Sequence, residues 1–140
     1  MSNSKQLTNL ADMVRAQAID QGEAVAFEFE GRTTTFNEFD SKTNRVARAL
    51  AALGVKPRER VAYLGKNSDV YFELLLGAMK AKVVMAPVNW RLAGPEVAFI
   101  VDDCKAPVLF VGPEFIAQVL DRSFGDVSCL DETLGAAVSQ

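Results

Sequence analysis

The spacing of apolar residues divides the first third of the chain into a helix and a hairpin. The first apolar stripe has helical spacing and consists of Leu7, Leu10, Val14 and Ala18. It predicts an amphipathic helix over residues 8–20, which ends at Gly22. The following stretch, "AVAFEFEGRTTTF" (residues 24–36), alternates apolar and polar positions around the turn Glu30-Gly31-Arg32. That alternation predicts two antiparallel strands joined as a β-hairpin.

A second helix is predicted from Phe36. Thr35 is followed three residues later by Glu38, which is the pattern of a capping box. Gly54 is suited to end this helix, because glycine adopts the left-handed conformation that often follows a helix. The residues expected to face the core are Phe39, Val46, Leu50 and Leu53.

The middle of the chain predicts strand, helix and strand. "RVAYLG" (residues 60–65) is a short β-rich run, and Asn67 or Ser68 is suited to cap a helix over residues 69–80. The next run, "VVMAPV" (residues 83–88), is continuously apolar, so we expect a parallel strand buried on both faces. The residues of the helix expected to face the core are Tyr71, Leu74, Leu75, Ala78 and Met79.

The pattern continues with one more helix and strand before it weakens. Pro95 and Glu96 suit the first turn of a helix, whose buried stripe would be Val97, Ile100, Val101 and Cys104. "APVLFVG" (residues 106–112) predicts a strand, and Pro113 opens a helix that contains Ile116 and Leu120. Beyond Ser123 the pattern fades: "VSCL" (residues 127–130) is a candidate last strand, and residues 123–140 include a candidate frayed tail, "GAAVSQ".

The alternation of helices and short apolar strands predicts the fold class. Right-handed strand–helix–strand units produce a three-layer α/β structure around a mostly parallel sheet. The N-terminal hairpin is an addition to that plan. We find no internal repeat and no linker that would divide the 140 residues.

Composition excludes several classes of protein. Apolar residues make up 49% of the chain and charged residues 24%, so a folded core is expected and disorder is not. The net charge of −3 argues against a nucleic-acid-binding protein. We find no apolar stretch long enough to span a membrane and no signal peptide at the start, so the expected location is cytoplasmic. Cys104 and Cys129 form no metal motif and are interpreted as buried or half-buried thiols.

The chain contains no histidine, which excludes Ser–His and Cys–His nucleophilic chemistry and histidine metal sites. Gly65-Lys66 lies between a strand and a helix, where a phosphate-binding loop would lie. However, Arg60 occupies the place of the first glycine of such a loop, so we interpret this stretch as a turn. The adjacent Asp102 and Asp103 do not face each other on a helix, which argues against a carboxylate pair.

The loop of Asn89, Trp90 and Arg91 is the one candidate for binding. It follows the carboxyl end of a predicted strand, where open α/β sheets bind ligands. Arg91 would hold an anion and Trp90 would stack on a ring. In the alternative interpretation, which we favour from the sequence alone, Asn89 bonds its own turn, Trp90 covers the sheet edge and Arg91 pairs with an acid.

In order and spacing, these pieces resemble the N-terminal region of the adenylate-forming acyl-CoA synthetases of the AMP-binding enzyme family. The resemblance runs from about Leu7 to Val111, and its "PVNWRL" variant (residues 87–92) is most similar to the fatty-acyl and aryl-CoA ligase branch. The pieces that carry it are Thr35-Phe36-Asn37-Glu38-Phe39, Leu53-Gly54-Val55, Asn67-Ser68, Ala78-Met79-Lys80-Ala81 and Pro87-Val88-Asn89-Trp90-Arg91-Leu92.

Two departures from the family pattern fall in turns. Lys82 stands where the family usually has glycine, and Arg58-Glu59 replaces a Gly-Asp pair. A left-handed conformation at Lys82 would cost up to about 1 kcal/mol.

The resemblance implies a ligase that couples a carboxylate to ATP with Mg, releases pyrophosphate and passes the acyl group from the adenylate to CoA. Family enzymes are several times longer, and their phosphate loop, Mg-binding glutamate and catalytic lysine have no counterpart here. We therefore expect residues 1–140 to be a truncated, partial N-terminal domain of such an enzyme, with no catalytic, cofactor-binding or metal residues and no activity alone. It would pair with the remainder of the enzyme or self-associate. The alternative is a stand-alone, non-catalytic binding module that uses an exposed sheet edge.

Overall fold

The computed structural model describes residues 7–120 and 128–130 and has the predicted order of elements. A short 3₁₀ turn, Pro113–Phe115, precedes the last helix. The strands are β1 (Val25–Phe29), β2 (Arg32–Thr35), β3 (Arg60–Leu64), β4 (Val84–Val88), β5 (Val108–Val111) and β6 (Ser128–Leu130). The helices are α1 (Leu10–Gln21), α2 (Phe36–Ala52), α3 (Asp69–Lys80), α4 (Gly94–Asp103) and α5 (Ile116–Leu120).

The sheet confirms the predicted fold class. Four parallel strands pair in the order β4-β3-β5-β6, and β1 and β2 form the separate antiparallel hairpin. The central strands β3 and β5 are almost wholly buried, as continuous apolar runs in a parallel sheet should be. The candidate last strand is therefore confirmed at Ser128–Leu130, while the rest of the candidate tail lies outside the described residues.

Helices cover both faces of this sheet, which gives the three layers. One face of the sheet packs against α2 and α3 through an apolar cluster that includes Val46, Leu50, Val61, Tyr63, Leu74 and Phe110. The opposite face carries a second cluster, with α4 and α5, that includes Ala62, Leu64, Val97, Val101, Leu109 and Phe115. Successive residues of β3 alternate between the two clusters, because side chains along a strand point to opposite faces.

The expectation that β4 is buried on both faces is wrong. Val84 is 53% exposed and Pro87 is also exposed, whereas Met85 and Val88 are buried. The reason is position: among the described strands β4 pairs only with β3, so it lies at the edge of the sheet. Pro87 is compatible with such a strand, since an edge strand tolerates the loss of one N–H donor.

Several predicted core positions on the helices also need correction. On α1 only Val14 is buried, and Leu7 and Leu10 are 49% and 54% exposed. Leu53 is 43% exposed because it is the C-cap of α2, past the last turn that faces α3. The predicted core positions that are only partly buried are Tyr71, Leu75, Met79, Ile100 and Cys104.

The packing of α2 against α3 depends on a glycine that sequence periodicity did not single out. Gly77 is buried in α3, and a Cβ atom there would overlap the side chain of Val46 and lie 3.1 Å from the carbonyl oxygen of Thr43. The two helices therefore approach more closely than an alanine would allow. Polar contacts add to this packing, since Lys80 Nζ lies 2.6 Å from Asp40 Oδ1 and Lys42 Nζ lies 3.2 Å from Glu73 Oε1.

The ends of α2, α3 and α4 share one backbone motif. At the end of α3, the Val83 N–H donates to the carbonyl oxygen of Ala78 (2.9 Å) and the Lys82 N–H donates to that of Met79 (3.0 Å). This is the Schellman arrangement, which needs a left-handed residue just after the helix.

Glycine occupies that left-handed position after only one of the three helices. Gly54 follows α2 with a φ of 81°, but Lys82 follows α3 with a φ of 59° and Lys105 follows α4 with a φ of 53°. The left-handed conformation considered for Lys82 is thus confirmed. Arg58, at the other departure from the family pattern, has a φ of 73°, and its N–H donates to the carbonyl oxygen of Lys82 (2.8 Å).

Within the part of the chain that the structure describes, no helix has both the length and the hydropathy needed to cross a membrane.

Candidate functional site

The loops that follow three parallel strands meet at one end of the sheet. β3 continues into Gly65-Lys66, β4 into Asn89-Trp90-Arg91 and β5 into Gly112. Neighbouring parallel strands bring their carboxyl ends to the same edge, so these loops lie together. The N–H of Gly112 donates to the carbonyl oxygen of Leu64 (2.8 Å), which ties the β3 and β5 ends directly. We call the surface formed by Lys66, Trp90, Arg91 and Glu114 the strand-end platform.

Asn89 shapes the loop. Its side-chain Oδ1 accepts the N–H of Arg91 (3.0 Å), and its carbonyl oxygen accepts the N–H of Leu92 (3.1 Å). Both bonds lie within the turn, which is the role that the structural interpretation of the sequence assigned to Asn89. Because its side-chain oxygen is used in this way, Asn89 positions the two residues after it.

Trp90 is half-buried between an aromatic ring and two cations. Its ring centroid lies 5.7 Å from that of Phe115. The Nζ atom of Lys66 lies 5.1 Å from the Trp90 centroid, and the Cζ atom of Arg91 lies 4.7 Å from it. At exposed sites each such cation–π contact contributes about 0.5–1 kcal/mol. Two positively charged side chains therefore lie against Trp90 at the carboxyl ends of the strands.

The charge on the platform is only partly neutralised. Lys66 Nζ lies 3.2 Å from Glu114 Oε2, with both side chains more than half exposed, so solvent weakens this pair. Among residues 7–120, Arg91 makes no salt bridge, and the expectation that it pairs with an acid is not met there. Its guanidinium instead lies over Trp90 and is exposed to solvent.

The last described helix holds the loop in place. Gln118 Nε2 donates to the carbonyl oxygen of Leu92 (2.9 Å), so α5 supports the turn from outside the sheet. The sequence carried no signal for Gln118. Lys66 had a signal, since it follows a strand, but its proximity to Trp90 depends on β3 and β4 being neighbours.

Tyr63 supports the same region from beneath. Its hydroxyl donates to the carbonyl oxygen of Lys66 (3.1 Å), and burial raises the pKa of this phenol above its usual value of 10.0. The hydroxyl is therefore a neutral hydrogen-bond donor at physiological pH. Gly65 leaves room for it, since a Cβ at that position would lie 2.8 Å from the Tyr63 oxygen.

The other stretches considered for chemistry are structural where the structure describes them. Ser68 Oγ accepts the N–H of Tyr71 (3.1 Å), which makes the Gly65-Lys66 stretch the lead-in to a capped helix, as predicted. Asp102 and Asp103 are both exposed near the end of α4. No group of three or more Asp, Glu, Cys or His side chains suited to a metal ion occurs in the described residues.

Comparison with known proteins gives consistent matches. The family model described as "AMP-binding enzyme" matches residues 14–137. The chain is 43% identical over 110 residues to the fatty acid–acyl-carrier-protein ligase ScoC of Streptomyces coeruleorubidus, which covers 79% of this chain and 21% of that protein. It is 40% identical over 94 residues to an indoleacetate–CoA ligase of Aromatoleum aromaticum, covering 67% of this chain and 18% of that protein.

A solved structure has the same fold as this chain. The N-terminal domain of FACL13 from Mycobacterium tuberculosis superposes with a TM-score of 0.88 at 28% identity, covering 96% of this chain and 36% of that one. The chain thus spans about a fifth of the length of the curated relatives above.

Proposed function

The chain belongs to the AMP-binding enzyme family, and from that premise we propose that it forms the N-terminal scaffold of an ATP-dependent acid–thiol ligase. In the proposed reaction, a carboxylate attacks the α-phosphate of ATP and pyrophosphate leaves. The thiol of CoA or of an acyl carrier then attacks the acyl adenylate, and AMP leaves as the thioester forms. The match of the family model to residues 14–137 is the observation that carries this proposal.

The substrate class that we propose is an aliphatic or aromatic carboxylic acid. Curated relatives at 40% identity or more include a fatty acid ligase, an indoleacetate–CoA ligase and a feruloyl-CoA synthase. Since the first of these is named for an acyl-carrier protein, the thiol acceptor is either CoA or the pantetheine-like arm of such a carrier.

We assign this chain a scaffolding role and no catalytic step. The described residues do not fit an ATP–Mg site: they contain no carboxylate cluster suited to a metal, and Arg60 stands where a phosphate loop needs glycine. Stabilising the adenylation transition state requires preorganised charges and donors around the phosphates. ATP, Mg and CoA would therefore be held by other parts of the longer enzyme.

The strand-end platform has a binding role in this proposal. Arg91 and Lys66 present two cations on either side of an aromatic ring, which suits an anionic group attached to a planar or apolar body. Asn89 positions this platform and need not touch the ligand. We expect Arg91→Gln to weaken ligand binding and to lower the stability of the fold by no more than about 1 kcal/mol, because its side chain is exposed and loses only the contact with Trp90.

A chimera tests the scaffold proposal. The matched segment of the Streptomyces ligase would be replaced by this chain's aligned residues, and acid-dependent ATP–pyrophosphate exchange would be measured. We expect exchange within about tenfold of the parent enzyme, since 43% identity retains the packing pattern of the core. A chimera carrying Gly77→Leu is the matched control and should lose both the cooperative melt and the activity.

The chimera's melting curve shows whether a loss of activity results from misfolding. A chimera that melts cooperatively at the parent's temperature but shows no exchange contradicts the proposal. An active chimera supports it.

The second candidate is a stand-alone binding module, and the exposed edge of β4 is the observation that favours it. An unpaired strand edge is a template for a further strand. Sedimentation of the 140-residue chain at rising concentration tests the second candidate. A defined dimer that dissociates when Val84 is replaced by lysine favours the module, and a monomer at all concentrations counts against it.

A further inference from the structure

A groove of about 530 Å³ lies between α1, α2 and the end of α3. It is separate from the strand-end platform, because Lys82 precedes β4 whereas Trp90 follows it, and five strand residues span about 16 Å. Ala11 and Ala47 contribute small side chains to its walls. Its polar lining residues are Asn9, Asp12, Asn44 and four cations, Arg15, Arg48, Lys80 and Lys82. We call this feature the helix groove.

Three cations in the helix groove have no acidic partner among residues 7–120. Arg15, Arg48 and Lys82 are exposed and make no salt bridge there. The one carboxylate in the lining, Asp12, accepts a hydrogen bond from the Thr8 hydroxyl (2.6 Å). The groove is thus electropositive on a chain whose net charge is −3.

Polar contacts hold Lys80 in place in the lining of the groove. Lys80 has only 7% of its side chain exposed and is fixed by Asp40 Oδ1 (2.6 Å) and Asn44 Oδ1 (2.8 Å). Because the Asn44 oxygen is used by Lys80, the amide N–H groups of Asn44 remain as donors. Among the described residues they make no hydrogen bond, so a neutral donor adjoins the cations.

Lys82 lines the groove at a position where the backbone would favour glycine. Its φ of 59° is in the left-handed region, where a residue with a Cβ is strained and glycine is favoured. The same position after α2 is Gly54. Lys105 has the same conformation after α4 but does not line the groove, so it is the position and charge of Lys82, and not its φ, that bear on binding.

We propose that the helix groove binds a small organic phosphate, with Arg15, Arg48 and Lys82 contacting the phosphate oxygens and Asn44 donating to the same group. Arginine presents a planar set of donors that matches phosphate geometry, and lysine adds a flexible charge. The groove volume lies within the 300–1,000 Å³ range typical of small-molecule sites, which suits a ligand of about nucleotide size. This site does not depend on the proposed ligase function, since it lies away from the platform.

Calorimetric titration with inorganic pyrophosphate and with AMP tests this proposal on the 140-residue chain. We expect saturable binding of both at one site, weakened by rising salt because the contacts are charged and exposed. Combining Arg15→Gln with Arg48→Gln should raise the dissociation constants at least tenfold. Lys82→Gln should raise them several-fold and leave the melting temperature unchanged, since glutamine retains the same backbone strain.

Two control variants test whether the loss of binding is specific to the residues of the groove. Arg58→Gln removes an exposed arginine with a positive φ outside the groove, and the dissociation constants should stay within twofold. Lys105→Gln removes an exposed lysine that occupies the same left-handed position after α4, outside the groove, and should also leave groove binding unchanged. The proposal is overturned if neither probe binds saturably, or if the variant that combines Arg15→Gln with Arg48→Gln retains the wild-type affinity.

Discussion

Replacing Lys82 with glycine should stabilise the protein, because the backbone at this position already has the conformation that glycine prefers. A left-handed φ costs an L-residue roughly 1–2 kcal/mol. Relieving that cost stabilises the folded protein. Glycine also adds conformational freedom to the unfolded chain, which lowers the free energy of unfolding by about 0.4–1 kcal/mol and offsets part of the stabilisation. The net increase in the free energy of unfolding is therefore about 0.5–1 kcal/mol. For a domain of this size it corresponds to a rise in Tm of about 2–4 °C.

The side chain of Lys82 should not oppose this gain. It is exposed and makes no salt bridge among the described residues, and both hydrogen bonds of the motif use backbone atoms. Thermal and urea unfolding of the wild-type chain, Lys82→Ala and Lys82→Gly would separate the backbone effect from the loss of charge. Lys82→Ala should leave the free energy of unfolding nearly unchanged, since alanine keeps the strained Cβ.

Matched sites on the same fold strengthen the test. Lys105→Gly, at the equivalent position after α4, should stabilise by a similar amount. Gly54→Ala, after α2, should destabilise by about 1 kcal/mol, because it creates the strain that the lysines already bear. If Lys82→Gly and Lys82→Ala have the same stability, or if Gly54→Ala is neutral, the reasoning from φ is refuted. Lys82→Gly should also weaken pyrophosphate binding in the helix groove, so stability and binding would change in opposite directions.

Two further predictions concern the contact of α2 with α3. Gly77→Ala should lower the free energy of unfolding, measured by urea titration, by about 1–3 kcal/mol, because the alanine Cβ would overlap Val46. This strain exceeds the stability that alanine adds through its higher helix propensity. Equal or greater stability of the variant would contradict the close approach of the two helices. Burial raises the pKa of Glu73 above its usual value of 4.5, although its ion pair with Lys42 acts in the opposite direction. The stability that this shift contributes is present below pH 4.5 and is lost as pH rises through the raised pKa, so the wild type should lose stability relative to Glu73→Gln as the pH rises above 4.5. A pH-independent difference between the two proteins would refute this assignment.

The element order was predictable because local signals were strong. Thr35 and Glu38 form both bonds of the capping box, and Ser68 caps α3 as its sequence position indicated. Gly54 ends α2 as expected. These features depend on residues three or four apart, so the sequence contains the whole of their physical cause.

Burial was less predictable because it depends on which elements become neighbours. The run "VVMAPV" (residues 83–88) has the composition of a central strand, yet β4 lies at the edge among the described strands and exposes Val84. Strand order is a tertiary property that no local pattern encodes. The same is true of Gly77, whose importance comes from Val46, 31 positions earlier in the sequence.

The candidate site was predicted in part. Asn89, Trp90 and Arg91 were identified because they follow a strand, and the structure places them at the carboxyl edge of the sheet. Their surroundings were not predicted, because Lys66 joins Trp90 only through the pairing of β3 with β4. Whether this platform binds a ligand stays a prediction.

The most direct test of the scaffold assignment is acid-dependent ATP–pyrophosphate exchange by the purified 140-residue chain. Fatty, indoleacetic and hydroxycinnamic acids would each be supplied with ATP and Mg, and the intact Streptomyces ligase would serve as the positive control. We expect exchange at the background rate with every acid, since the described residues contain no group of three or more carboxylate or thiol side chains suited to hold Mg. Exchange that rises with the concentration of one acid would contradict the scaffold assignment, because the chain would then contain the chemistry that we assign to the rest of a longer enzyme.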